Sequence, residues 1–188
     1  MRRDRRIILI RAAAVATSAA VTSFVPTSSL AAADADSLQL FIRMSAALTG
    51  LPDGKLNPKR NTLRVNIALF DRASSDASFP QLAMICRANP QLTGDDLAKA
   101  ILSQADQRAV RLARSIILSW YLGAWYRPED LAAESPFIPY DVVSSDAYTQ
   151  SWVWRVAQAH PMGYSEFSYG YWSGEPIPLT DYFKITVP

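Results

Sequence analysis

Gln107-Arg108-Ala109-Val110-Arg111-Leu112-Ala113-Arg114-Ser115-Ile116-Ile117-Leu118-Ser119-Trp120-Tyr121 is the stretch with the strongest helical periodicity in the chain. Val110, Ala113, Arg114, Ile117, Trp120 and Tyr121 recur at the spacing of one helix face, and Gly123 supplies the stop. An amphipathic helix of this kind draws its stability from neighbours that cover its apolar stripe. The reading of the rest of the chain is therefore a search for those neighbours.

They lie upstream. Leu38, Phe41, Ile42, Ser45 and Leu48 follow the i, i+3, i+4, i+7 rule and end at Gly50. Asn57-Pro58 reads as a cap with proline in the first turn, ahead of a face containing Leu63, Val65, Ile67 and Phe70. Phe79, Leu82, Ala83 and Cys86 share another face. Thr93-Gly94-Asp95-Asp96 has the spacing of a capping box and opens a helix with Leu97, Ile101 and Leu102 on one side. These segments predict a mainly α fold, a small helical bundle, over residues 34–125.

Downstream the composition changes. All five tryptophans, all eight tyrosines and three of the seven phenylalanines lie at or beyond residue 120, with seven of the twelve prolines. Such proline density forbids long regular elements. Ser144 or Ser145 is placed to cap a short helix over Asp146 to Gln150, while Trp152 to Val156 reads equally as helix or extended chain. From His160 to Pro176 the sequence predicts a long irregular arm, aromatic-rich and weakly charged, which is not the composition of disorder. Three readings of the arm stand side by side: completing the bundle core, stacking on a sugar or other flat ligand, or forming a protein interface. For the arm as a whole the interface, with a core-facing subset, is the expectation. Its candidate residues, with the aromatics just before it, are Trp120, Tyr121, Trp125, Trp152, Trp154, Tyr164, Tyr169, Tyr171 and Trp172.

The first 33 residues have the tripartite layout of an export signal. Five arginines stand against one acid, and Arg5-Arg6 is followed by a spacer and apolar residues, Leu9 among them. A weakly apolar stretch and small residues for cleavage at Ala31, Ala33 and Ala35 follow. The arginine pair reads as the address of the twin-arginine route, which carries folded cargo, with an ordinary Arg-rich secretory signal as the alternative reading. Five of the 19 basic and one of the 17 acidic residues lie in this segment, leaving 14 against 16 in the remainder. The basic character of the chain thus belongs to its address, and nucleic acid is not an expected partner. The remaining chain of about 155 residues suits one domain.

One cysteine, Cys86, and one histidine, His160, exclude an internal disulfide, a C-x-x-C-H haem attachment and Cys/His metal sets within one chain. Cys86 reads as a buried structural thiol, and His160, beside Pro161, as a polar contact in a loop. No G-x-G-x-x-G, phosphate loop or G-x-S-x-G is present. The acidic pairs Asp95-Asp96 and Glu129-Asp130 fall where helix starts explain them. No catalytic, cofactor-binding or metal-ligating residue is assigned.

Phe41…Met44-Ser45…Leu48-Thr49-Gly50, Ile116 through Trp120-Tyr121-Leu122-Gly123, and Gly170-Tyr171-Trp172-Ser173-Gly174-Glu175-Pro176 together resemble the small subunit of bacterial membrane-bound, FAD-dependent sugar and polyol dehydrogenases. The stretch from Tyr126 to Pro161 is longer than in the members it most resembles. The resemblance implies a non-catalytic helical subunit that escorts and stabilises a flavoprotein large subunit. It implies FAD in that partner, and haem c in a multihaem cytochrome subunit that anchors the complex at the periplasmic, outer face of the inner membrane. The expected organisation is a signal at 1–33, a bundle at 34–125, and an extension at 126–188 packed on the bundle and on the partner. The alternative is an independent exported helical domain that binds a small ligand or carbohydrate through its aromatic arm.

Overall fold

Five helices carry the apolar periodicity of the sequence. The computed structural model describes residues 27–56, 62–132, 137–157, 159 and 174, the side chains of 27–34 and 53 excepted. Helix α1 (Thr27–Thr49) is followed by α2 (Thr62–Ser74), α3 (Phe79–Ala88), α4 (Gly94–Gln104) and α5 (Gln107–Leu122), a mainly α architecture as the spacing predicts. In α1, Phe41, Met44 and Ser45 are fully buried, and Leu38, Ile42 and Leu48 pack against the same core. The helix also begins earlier than the apolar pattern, running back through Ala31, Ala33 and Ala35.

Two faces differ from expectation. In α2 the buried positions are Val65, Leu69 and Ala73, whereas Leu63 is 63% and Ile67 41% exposed. Val65, Leu69 and Ala73 are four apart and stack on one side; Leu63 and Ile67 lie a half-turn away. Asn57-Pro58 falls outside the described residues. In α5 the buried face is Ala109, Leu112, Ala113, Ile116 and Trp120, with Ser115 and Ser119, while Arg114 is exposed and Val110, Ile117 and Tyr121 flank the core. Ala109, Ser115 and Ser119 join Ala113 on the buried face, and side chains this small let the other helices approach α5 closely. Leu102 on α4 is likewise half exposed, whereas Leu97 and Ile101 are fully buried.

The helix ends are held locally. Asp106 Oδ1 accepts from the Ala109 N–H at 2.8 Å and so caps α5. Thr93 stands at the N-cap of α4 without a side-chain cap bond, leaving Asp95 and Asp96 in the first turn to face the helix dipole. Arg43 ties α1 to the end of α3 by donating to the carbonyls of Cys86 at 2.9 Å, Asn89 at 2.6 Å and Leu92 at 2.7 Å. Those carbonyls carry the negative end of the α3 dipole and the turn after it, where a guanidinium is well matched. Cys86 is fully buried, and burial pushes its thiol up to about 11 against the opposing pull of Arg43. Rings join the helices across the core: Phe79 meets Phe70 at 5.8 Å, Phe70 meets Phe41 at 5.8 Å, and Phe41 stacks on Trp120 at 6.3 Å.

Beyond α5 the elements shorten. Strands β1 (Ala124–Trp125) and β2 (Asp141–Val142) form an antiparallel ribbon with Ala124 opposite Val142 and Trp125 opposite Asp141. Two single-turn-scale helices follow, α6 (Ser145–Thr149) and α7 (Trp152–Val156). Ser144 caps α6, its Oγ accepting from Ala147 N–H at 3.0 Å, and the ambiguous Trp152–Val156 segment is helical. Trp125, Ala147 and Trp152 belong to the same buried cluster as Phe41, so packing continues across the expected boundary at residue 125.

Candidate functional site

Gly123 is the joint between the two halves. Its φ of 67° is the left-handed conformation that closes α5, and its N–H donates to Ser119 O at 2.9 Å. A Cβ there would lie 2.5 Å from Tyr148 Cα and 2.6 Å from Ala147 O, because the backbone of α6 rests directly on the glycine. Its carbonyl accepts from Val143 N–H at 3.2 Å. The neighbouring residues of the Trp-Tyr-x-Gly run have structural duties too. Trp120 is in the core, and the Tyr121 hydroxyl donates to Thr49 O at 3.2 Å, near the end of α1.

The aromatics expected at a partner surface separate into three groups. Trp120, Trp125 and Trp152 are only 3%, 5% and 1% exposed, so their rings pack inside the chain. The Trp152 indole donates to Leu56 O at 3.3 Å, and the Arg155 guanidinium lies 5.2 Å from its ring centre. Amphipathic indole explains the burial: the ring is apolar enough to bury and needs only one acceptor for its N–H. Tyr121 and Trp154 are half-buried; Trp154 donates to Tyr148 O at 2.8 Å and meets the Tyr148 ring edge-on at 5.3 Å. Tyr164, Tyr169, Tyr171 and Trp172 lie outside the described residues, as do Arg5, Arg6 and Leu9 of the export signal. Ala31, Ala33 and Ala35 lie in the N-terminal half of α1, with Ala35 exposed.

The exposed apolar surface stands elsewhere. Phe137 is 87% exposed, Tyr140 60%, Val142 52% and Tyr148 40%, all on the segment that carries β2 and α6. Tyr140 leans on Tyr126 at 5.4 Å, and burial, with a smaller push from Tyr140, raises the Tyr126 phenol above its ordinary range. The sequence signal was available in Pro136-Phe137-Ile138-Pro139-Tyr140, where two prolines three apart keep the chain out of any helix that might bury its aromatics.

Next to this segment runs a polar trough. One cleft of about 480 Å³ is lined by Ser75, Asp76, Ala77, Arg108, Arg111 and Glu129. A second, of about 250 Å³, shares Ser75, Asp76 and Glu129 with it and adds Arg72, Trp125, Arg127 and Pro128. Among the described residues no group of three or more His, Cys, Asp or Glu side chains is placed to hold a metal ion. No helix among them is long and apolar enough to cross a membrane.

Comparison with known families places residues 3–176 within the family described as membrane bound FAD containing D-sorbitol dehydrogenase. No curated protein and no solved structure matches the chain.

Proposed function

The chain belongs to the membrane-bound, FAD-containing D-sorbitol dehydrogenase family, and from that premise we propose that it is the non-catalytic small subunit, with flavin and substrate chemistry in a separate large subunit. The observation that carries this reading is the pairing of a family match over nearly the whole chain with described residues that form helices and one two-residue ribbon. An FAD site of the usual kind is a Gly-rich turn between a parallel strand and a helix N-terminus. The described residues do not fit it. Their positive-φ glycines, Gly50, Gly94 and Gly123, stand at helix ends away from any parallel strand, and the space over Gly123 is filled by α6. This supports a flavin held by a partner, and no step of chemistry is assigned to this chain.

In this reading the small subunit stabilises the flavoprotein and takes it through the twin-arginine route on the address Arg5-Arg6. A multihaem cytochrome c subunit then holds the pair at the periplasmic face of the inner membrane and accepts its electrons. The carbohydrate-binding alternative gains nothing from the aromatics just before the arm, since Trp152 is buried and Trp154 is engaged with Tyr148.

The test is to purify the tagged chain from the membrane fraction of its native host. Co-purification of one large polypeptide with the absorption spectrum of bound flavin and polyol-oxidising activity is expected. A chain that elutes alone, soluble and monomeric, ends the proposal. Arg5→Lys with Arg6→Lys should leave both polypeptides in the cytoplasm; dehydrogenase activity at its normal periplasmic level in that double variant removes the escort role while leaving subunit pairing standing.

A further inference from the structure

Helix α1 runs without a break through the small residues that suit cleavage. It spans Thr27–Thr49, so Ala31, Ala33 and Ala35 all stand inside it. Its hold on the bundle starts later: Ala35 and Asp36 are exposed, Ser37 is half-buried, Leu38 packs against the core, and Phe41 is fully buried. A peptidase takes its substrate as an extended strand, so the bond it cuts has to leave the helix first. How far that opening can run before it disturbs packing decides between the two A-x-A triplets, Ala31-Ala32-Ala33 and Ala33-Asp34-Ala35.

In an α-helix each N–H answers the carbonyl four residues earlier. Hydrolysis after Ala33 removes the carbonyls of Ala31, Ala32 and Ala33, and the N–H groups that lose helical partners belong to Ala35, Asp36 and Ser37, ahead of the packed part of the helix. Hydrolysis after Ala35 removes the carbonyls of Asp34 and Ala35 as well, and so strips the N–H of half-buried Leu38. It also takes Ala35 out of an apolar groove of about 640 Å³ that Ala35 and Leu38 form with Ile67, Phe70, Asp71 and Ser74 of α2. The later cut reaches the bundle; the earlier one does not. Charge favours the same bond. Asp34 and Asp36 are the only acids of α1 and stand in its interior in the uncut chain. A cut after Ala33 turns both into residues of the first turn, where negative charge complements the helix dipole and offsets the new α-amino cation. A cut after Ala35 keeps Asp36 alone.

Resting on the export reading above, we propose that the Ala33–Asp34 peptide bond is the processing site of this chain and that the mature α1 begins at Asp34. The step is a hydrolysis by a signal peptidase acting on the exported chain: the amide C–N bond between Ala33 and Asp34 breaks, and water supplies the hydroxyl of the Ala33 carboxyl group and a proton to the Asp34 amine. Ala31 and Ala33 meet the peptidase's demand for small residues. Residues 27–33 of the helix leave with the leader, and the part that packs, from Leu38 onward, stays.

The full chain, co-expressed with the flavoprotein and recovered from the periplasmic membrane fraction, tests this by intact mass and N-terminal sequencing. A mature chain beginning at Asp34 is expected. A start at Asp36 or at any other residue overturns the site, as does an exported chain that keeps its leader; both leave the export reading standing. A chain retained uncut in the cytoplasm removes the export reading and the site with it. Two variants separate the triplets. Ala31→Leu places a large side chain in the first triplet alone and should leave the exported chain uncut or move its start to Asp36. Ala35→Leu alters the second triplet alone and should leave the start at Asp34. Processing at Asp34 that is untouched by Ala31→Leu, or lost in Ala35→Leu, overturns the proposal.

Discussion

The bundle from α1 to α5 and the segment from β1 to α7 contribute to one core by different means. In the bundle, each helix buries a stripe repeated over several turns, so stability is spread over many positions such as Phe41, Leu69, Leu82, Leu97 and Ile116. In the distal segment, two-residue strands and five-residue helices cannot present a stripe, and attachment falls on few residues: Gly123 beneath α6, Trp125 in the ribbon, and Trp152 driven into the bundle. Repeated burial spreads the attachment over many side chains; anchored burial concentrates it in these three residues. The distal segment can therefore keep Tyr140, Val142 and Tyr148 on its outer face and still hold a defined shape.

The largest effect expected from this contrast is Trp152→Ala, which should lower stability by about 3–5 kcal/mol by emptying an indole-sized site and orphaning Leu56 O. Thermal unfolding followed separately by aromatic and helical signals checks it. A loss confined to the aromatic signal means the distal segment detaches alone, and one shared transition means the two regions unfold as a unit.

Gly123→Ala should follow at about 2–4 kcal/mol, combining a left-handed backbone with a Cβ driven into the backbone of α6. Chemical denaturation measures this. A change under about 1 kcal/mol would mean that α6 does not rest on the joint, and the contrast would lose its hinge point.

Alkaline stability sharpens the bundle side. The folded Cys86 thiol ionises at about 11 and its ordinary value is 9.0, so its contribution is complete below pH 9 and declines as pH rises toward 11, where the unfolded chain releases the proton first. The slope attributable to Cys86 should not exceed about 1.4 kcal/mol per pH unit. Cys86→Ala should remove it, and an unchanged slope in that variant would place the alkaline sensitivity in other groups.

Smaller still, Asp106→Ala should cost about 1 kcal/mol by uncapping α5, and Ser144→Ala a similar or lesser amount at α6. Least of all, Leu63→Gln should change stability by less than about 0.5 kcal/mol, whereas Leu69→Ala on the same helix should cost about 2–5 kcal/mol. Equal effects at the two leucines would restore the face of α2 first read from the sequence.

Helix positions and their ends were legible because they depend on residues a few places apart. The α1 stripe, the Phe79-Leu82-Ala83-Cys86 face, the stop at Gly123 and the Ser144 cap are all local matters of spacing and dihedral freedom. The resemblance to the small subunits of polyol dehydrogenases was also readable, from Trp120-Tyr121-Leu122-Gly123 and the stations around it, and the family match agrees with it. The rotation of the α5 face was not, because the value of Ala109, Ser115 and Ser119 lies in how near another helix can come, a property of the pair of helices. Aromatic density is likewise silent on which rings are buried. Trp152 and Tyr140 both belong to the aromatic-rich sequence beyond residue 120, yet one is buried against Leu56 and the other faces out. Composition determined that the distal segment must rest on a surface, since its aromatics outnumber what short elements can cover. Tertiary structure alone decided which rings that surface takes, because a side chain is buried by residues distant in sequence, here 96 positions away across the Trp152–Leu56 hydrogen bond.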